Sequence, residues 1–265
     1  MNLWILISTI ILGLGLTSNP AYQLPLISIF ESEENTTASF EAVELDDAAE
    51  IIPHKIDNKS LGVKIAAQSA ATMDKNTGLI LWQKNADQVR SIASITKLMT
   101  ALVFLDNNPG WDTEITLEKQ DEINGGTNRI LRGEVVTVHD IFYTSLIASD
   151  NNATRALVRS TGVLEEEFIQ KMNNKAKELN LANTNFVDPT GLKDNNKSTA
   201  LDILSLAKVA FDNQYINDAV SKAVYNFQAI SGANHKIIST NKLFNSFLNI
   251  KAGKTGFVNA SGYCL

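Results

Sequence analysis

Strand-like segments stand at both ends of this chain with a block of helical periodicity between them, and that order narrows the folds open to it. In four runs, 139–148, 152–160, 164–179 and 199–211, apolar residues recur at spacings of three and four, the period of an amphipathic helix. Earlier, Lys64 to Met73 alternates loosely and Asp74-Lys75-Asn76-Thr77-Gly78 is a strong turn. Leu79-Ile80-Leu81-Trp82 then reads as the returning strand of a β-hairpin. Short strand-like pieces, Thr113 to Leu117 and Glu134 to Val138, lie around Gly125-Gly126 and Gly133, and strand-like character returns at Tyr225 to Ile230, Lys236 to Thr240 and Lys254 to Leu265. The order predicts one sheet built from distant parts of the chain with an inserted helical region, an α/β (α+β) domain over 61–265.

What precedes that domain has a different composition. Residues 3–16, LWILISTIILGLGL, are an apolar run too short for a membrane span and suited to a signal-peptide core, although no Lys or Arg precedes it. We read 1–22 as a signal peptide or a retained N-terminal membrane anchor, and the protein as exported to a periplasmic or other extracytoplasmic location. Residues 23–60 read as an acidic, disordered linker, since 31–50 hold eight carboxylates and no Lys or Arg. Without them the net charge of −6 becomes slightly positive, so nothing points to nucleic acid. The single cysteine, Cys264, excludes an internal disulfide, and His54, His139 and His235 have no ligand spacing. No metal or cofactor is expected.

Three short motifs carry chemistry. In Ser94-Ile95-Thr96-Lys97 the serine and lysine fall on one helical face, because Ile95, Leu98, Met99, Leu102 and Leu105 continue at helical spacing. There a lysine of lowered pKa can take the serine proton. The spacing alone is weak: it recurs at Ser205/Lys208 and Ser239/Lys242, and a helix cap would account for Ser94. Ser149-Asp150-Asn151 joins two helical segments, where the serine can relay a proton and the asparagine can bind an amide and a lysine; helix capping is the plainer account. Lys254-Thr255-Gly256 opens a strand-like stretch with a cation, a carboxylate-binding hydroxyl and a residue that admits close approach. The backbone N–H of the following Phe257 could join that of Ser94 as an oxyanion hole.

In this order the motifs resemble S-x-x-K, S-x-N and K-T-G of the penicillin-recognising serine acyl-transferases. The flanks are similar to those of serine-type D-alanyl-D-alanine carboxypeptidases, the low-molecular-weight penicillin-binding proteins. These are Ile92 to Ala101, Asp188-Pro189-Thr190-Gly191-Leu192, Ser198-Thr199-Ala200 with Asp202, and Gly253 to Phe257 followed by Ala260-Ser261-Gly262-Tyr263. The resemblance implies a β-lactamase/transpeptidase-like fold, an antiparallel sheet flanked by helices with an all-helical subdomain. It implies a peptidoglycan stem peptide ending in D-Ala-D-Ala as substrate and β-lactams as inhibitors. By the same resemblance Ser94 is the nucleophile and Lys97 its base, with pKa lowered by burial and by the Lys254 cation. Ser149 serves the leaving D-Ala, Asn151, Lys254, Thr255 and Gly256 bind substrate, and Phe257 completes the oxyanion hole.

Two departures stand out. The family usually has S-G-N where this chain has S-D-N, as in class A β-lactamases. In the family, further strands and a C-terminal helix follow K-T-G, whereas this sequence stops at Leu265; we expect an unpaired sheet edge and an exposed core face. Three alternatives remain: a class A β-lactamase, a peptidoglycan D,D-endopeptidase, or an inactive wall-associated protein. The first needs a deacylating glutamate, but Glu165-Glu166-Glu167 lies on an amphipathic pattern that does not match the required loop. His139 lies near no motif, which argues against a Ser-His-Asp triad.

Overall fold

A computed structural model describes residues 52–54, 63–123, 128–247 and 249–265. The expected leader, 1–22, lies outside the described residues, as do nearly all of the expected linker, 23–60, and Gly125-Gly126. Among the described residues no helix is long and apolar enough to cross a membrane.

The fold is α+β, built from short antiparallel strand pairs and helices. The first hairpin pairs β1 (Ala70–Met73) with β2 (Ile80–Lys84). Its turn forms because the Asp74 carboxylate accepts the Thr77 N–H and hydroxyl while Gly78 takes a φ of +72°, a conformation cheap for glycine. Next come β3 (Arg90–Ser91), a 3₁₀ turn at Ala93–Ile95, and α1 (Thr96–Leu105). Then β4 (Glu114–Thr116) pairs with β5 (Val135–Thr137). The helical block follows as α2 (Val138–Ile147), α3 (Asn151–Ser160), α4 (Glu165–Glu178), and, after β6 (Lys197–Ser198), α5 (Ala200–Asp212) and α6 (Gln214–Val220). Two hairpins end the chain: β7 (Val224–Gln228) with β8 (Asn234–Ile238), and β9 (Gly256–Val258) with β10 (Gly262–Cys264).

Helix α1 is the hub. Eight of its ten residues are buried, polar Thr96, Lys97 and Thr100 among them, and α2, α3, α4 and α5 all pack against it. A helix buried on every side lies inside the core rather than along its rim. Phe104 at its far end meets Phe142 and Trp111 at ring distances of 5.5 and 5.9 Å, and Trp111 also touches Tyr215 of α6 at 4.9 Å. The His139 ring stacks on Tyr143 and its Nδ1 lies 3.1 Å from the Tyr225 hydroxyl, so it is engaged in this aromatic cluster.

The four expected helices form within a residue or two of their sequence bounds, and Glu165, Glu166 and Glu167 occupy the first turn of α4. Helix α6 was not anticipated. It is a single short element whose start is set by the Asn213 side chain accepting from Tyr215 and Ile216. The expected single sheet is instead five two-stranded pairs among the described residues. Strand β9, besides pairing with β10, runs against the turn bearing Ser94, where a Cβ at Gly256 would sit 2.9 Å from the Ser94 nitrogen. Between the edge of β1 and β10 is a cavity of about 540 Å³, lined by Ala66 to Ala71 on one side and Ser261 to Leu265 on the other.

Candidate active site

The turn at Ala93–Ile95 presents Ser94 at the mouth of a cleft, and α1 carries Lys97 directly beneath it. Ala93 is fully buried with a φ of +48°, a left-handed conformation that costs a non-glycine residue about 1–2 kcal/mol. No side-chain cap is formed at this helix start, so capping does not explain Ser94. Lys97 is 1% exposed. Its Nζ lies 3.0 Å from Ser94 Oγ and donates to Asn151 Oδ1 at 2.7 Å and to the Thr190 carbonyl at 2.6 Å.

The second motif sits where expected, between α2 and α3. Ser149 adopts a φ of +57°, and its Oγ accepts from Lys254 Nζ at 2.7 Å. Asn151, the first residue of α3, reaches Lys97. The capping account holds for Asp150 alone, whose Oδ1 accepts from the Ala153 N–H at 3.0 Å. The stretch therefore caps a helix and faces the cleft at once.

The third motif closes the opposite wall. Lys254 is buried and donates to Ser149 and to the Thr255 carbonyl, the latter at 2.7 Å. Thr255 shares a short hydroxyl contact with Thr240. Gly256 has no room for a side chain against Ala93 and Ser94, which explains glycine there, and the half-exposed Phe257 follows on β9. Hydrogen bonds and close packing thus bring Ser94, Lys97, Ser149, Asn151, Lys254, Thr255 and Gly256 into one cluster, with three partly exposed hydroxyls beside two buried amines, while the Phe257 ring pairs with Tyr263.

Burial governs the electrostatics. It is the main cause that lowers Lys97 to about 7, while the Asp150 and Asp188 carboxylates oppose it. Lys254 is likewise held well below the usual lysine range, first by burial and then by the neighbouring Lys97 amine.

Sequence reasoning gave no role to residues 188–196. Asp188 accepts from the Thr190 N–H and hydroxyl and the Gly191 N–H through Oδ1, and from the Lys193 N–H and Asn196 Nδ2 through Oδ2. This buried knot aims the Thr190 carbonyl at Lys97 and the Pro189 carbonyl at the Thr100 hydroxyl, 2.6 Å away. Gly191, at φ +84°, packs so closely on the Ala93 carbonyl that a Cβ would overlap it. The signal was the Asp-Pro-Thr-Gly-Leu string itself; its task depends on a carbonyl oxygen, which no side-chain pattern announces.

A serine and a lysine in hydrogen-bond contact on this fold define a class, the serine DD-peptidases and penicillin-binding proteins. The crystal structure of the Streptomyces K15 DD-transpeptidase superposes with a TM-score of 0.70 at 29% identity, covering 77% of this chain and 84% of that one. Penicillin-binding protein D2 from Listeria monocytogenes, in its cefotaxime-bound form, gives a TM-score of 0.67 at 31% identity, covering 77% and 85%. More particularly, residues 55–265 match the peptidase S11 family model, D-alanyl-D-alanine carboxypeptidase, and the chain belongs to that family of serine hydrolases. The D-alanyl-D-alanine endopeptidases of Haemophilus influenzae and Pseudomonas aeruginosa are 35% and 36% identical over 75% and 76% of this chain. The carboxypeptidase DacF of Bacillus subtilis is 31% identical over 75%. The chain spans 69% and 66% of the two endopeptidases and 53% of DacF.

Proposed function

We propose that this protein is a penicillin-binding D-alanyl-D-alanine carboxypeptidase that removes the terminal D-Ala of peptidoglycan stem peptides through an acyl-enzyme on Ser94. The observation that carries this reading is the hydrogen-bond set of Lys97. A neutral amine has two N–H donors and one lone pair. Asn151 Oδ1 and the Thr190 carbonyl accept only and lie 2.7 and 2.6 Å away, so they engage both donors and leave the lone pair toward Ser94 Oγ. With Lys97 lowered to about 7, much of it is neutral near neutral pH and able to take the serine proton.

Ser94 Oγ would then attack the carbonyl of the penultimate D-Ala, with the oxyanion on the Ser94 and Phe257 N–H groups. Lys254 fixes Ser149 Oγ as an acceptor, which leaves the Ser149 proton available to the departing amine. The terminal carboxylate of the substrate would meet Lys254 and the Thr255 hydroxyl, and that anion would favour the charged form of Lys254. Water completes the cycle by hydrolysing the ester. A β-lactam enters the same steps and stops at the ester, because its leaving amine stays attached. Substrate on the wall implies an extracytoplasmic site of action; we extend the proposal to N-terminal export or anchoring by residues 1–22.

A second reading is D,D-endopeptidase action, favoured by the names of the relatives at 35% and 36% identity. Both reactions attack the same D-alanyl carbonyl through Ser94 and differ in the leaving amine, free D-Ala or the amine of a neighbouring stem. Intact mass of the full chain after benzylpenicillin, beside Ser94→Ala, tests the shared chemistry. A one-to-one adduct lost in the variant is expected; drug hydrolysed without an adduct would mean a β-lactamase. Muropeptide products then decide between pentapeptide trimming and cross-link cleavage.

A further inference from the structure

The S-D-N-N stretch has two sides. Ser149 and Asn151 bond the two buried lysines of the cleft. Asp150 and Asn152 turn the other way, onto the two stems that flank 124–127. Asn152 Oδ1 accepts the Ile123 N–H at 3.0 Å, and its Nδ2 donates to Asn128 Oδ1 at 2.6 Å. Asp150 Oδ2 accepts the Arg129 N–H at 3.3 Å and lies 3.7 Å from the Arg129 guanidinium. Both stems are therefore fastened to the same four-residue stretch that supplies two of the cleft's polar groups.

We propose that Asp150 and Asn152 are positioning residues for Ser94 acylation, holding Ser149 and Asn151 against Lys254 and Lys97 by clamping this stretch to Ile123, Asn128 and Arg129. The inference rests on the acyl-enzyme reading above and deepens it. Three observations carry it. Ser149 is held at a φ of +57°, a conformation that persists in a non-glycine residue only where its surroundings over-determine it. Asp150 is 3% exposed, and a buried carboxylate is costly unless it is paired and hydrogen-bonded, so it has a use beyond the cap that a neutral asparagine would supply as well. The third is its charge: among the groups facing Lys97, Asp150 and Asp188 favour the ammonium, and the Lys254 amine opposes it. Asp150 itself faces Arg129 and Lys97 and is raised mainly by burial.

The test is the pH profile of benzylpenicillin acylation of the full chain and of Asp150→Asn, Arg129→Gln and the double variant, with thermal unfolding alongside. Asparagine keeps the acceptor for the Ala153 N–H, so helix α3 stays capped. We expect Asp150→Asn to slow the plateau rate roughly tenfold and to move the acid limb about half a pH unit lower, because Lys97 loses a carboxylate that stabilised its charged form. Arg129→Gln, at a partly exposed site, is expected to slow acylation about fivefold alone and not further in the Asp150→Asn background, the mark of one shared interaction. Rates that multiply in the double variant, or an unmoved acid limb with only a lowered melting temperature, would overturn the proposal in favour of a purely structural cap. A native chain that forms no adduct would instead bring down the acyl-enzyme reading, and this inference with it.

Discussion

The two walls of the cleft are built differently. The wall made of α1, α2, α3 and residues 188–196 belongs to the buried core. Lys97, Thr100, Asp150, Asp188 and Asn196 are all inaccessible, and their hydrogen bonds run from one element to another. The K-T-G wall belongs to a short hairpin whose outer face carries Phe257 and Tyr263, paired at 4.7 Å yet 52% and 91% exposed. It is tied to the rest through a few bonds: Gly253 N–H to the Val220 carbonyl, Lys254 to Ser149, and Thr255 to Thr240. The proton-handling half is thus preorganised by the core, while the half assigned to the substrate carboxylate leans on a light attachment. Substitutions in the first wall should reduce stability and chemistry together, and those in the second should affect chemistry alone.

Four outcomes would break or sharpen that contrast. The largest concerns Lys97. Lys97→Gln should slow acylation by roughly a thousandfold, within the usual contribution of a general base. In the native chain the rate should rise with pH through about 7 and level off above it, as the folded-state amine loses its proton. Stopped-flow acylation across pH reads both, and a flat profile would remove Lys97 from the base role. Next, Gly191→Ala places a methyl group on the Ala93 carbonyl at a positive φ, and should cost about 3 kcal/mol in denaturant unfolding. A loss under about 1 kcal/mol would show the core wall to be softer than its packing indicates. Thr255→Val is third. Losing one hydroxyl to a carboxylate is worth about 1.5 kcal/mol, a roughly tenfold slower acylation, with at most a small drop in melting temperature from the lost Thr240 contact. Smallest is Tyr263→Ser on the exposed face of β10, expected to change stability by less than about 0.5 kcal/mol; a larger loss would mean that the hairpin wall is held more firmly than its few bonds suggest.

Much of the helical block was legible because its signal is local. Apolar spacing of three and four located α2 to α5, and Thr137 and Thr199 cap α2 and α5 with the side-chain acceptors such positions favour. The sheet was less legible. Strand-like segments were found, but alternation records which face of a strand is buried and not which neighbour it pairs with, so one sheet was expected where five pairs form. Asp150 shows the same limit at the site. Capping and catalysis were weighed as rivals for the whole stretch, whereas the chain gives the cap to Asp150 and the cleft to Ser149 and Asn151.

By itself the sequence determined helices α1 to α5, the hairpin turn at Asp74 to Gly78, and the serine, lysine, asparagine and threonine side chains that meet at the site. These follow from residue type and short-range spacing. Tertiary structure alone decided the state of Lys97. Its proton affinity comes from burial inside a ring of helices, and its direction from a carbonyl 93 residues away at Thr190. Neither is a property of the Ser94-Ile95-Thr96-Lys97 string, because desolvation and backbone dipoles act through space and exist only once distant parts of the chain have packed together.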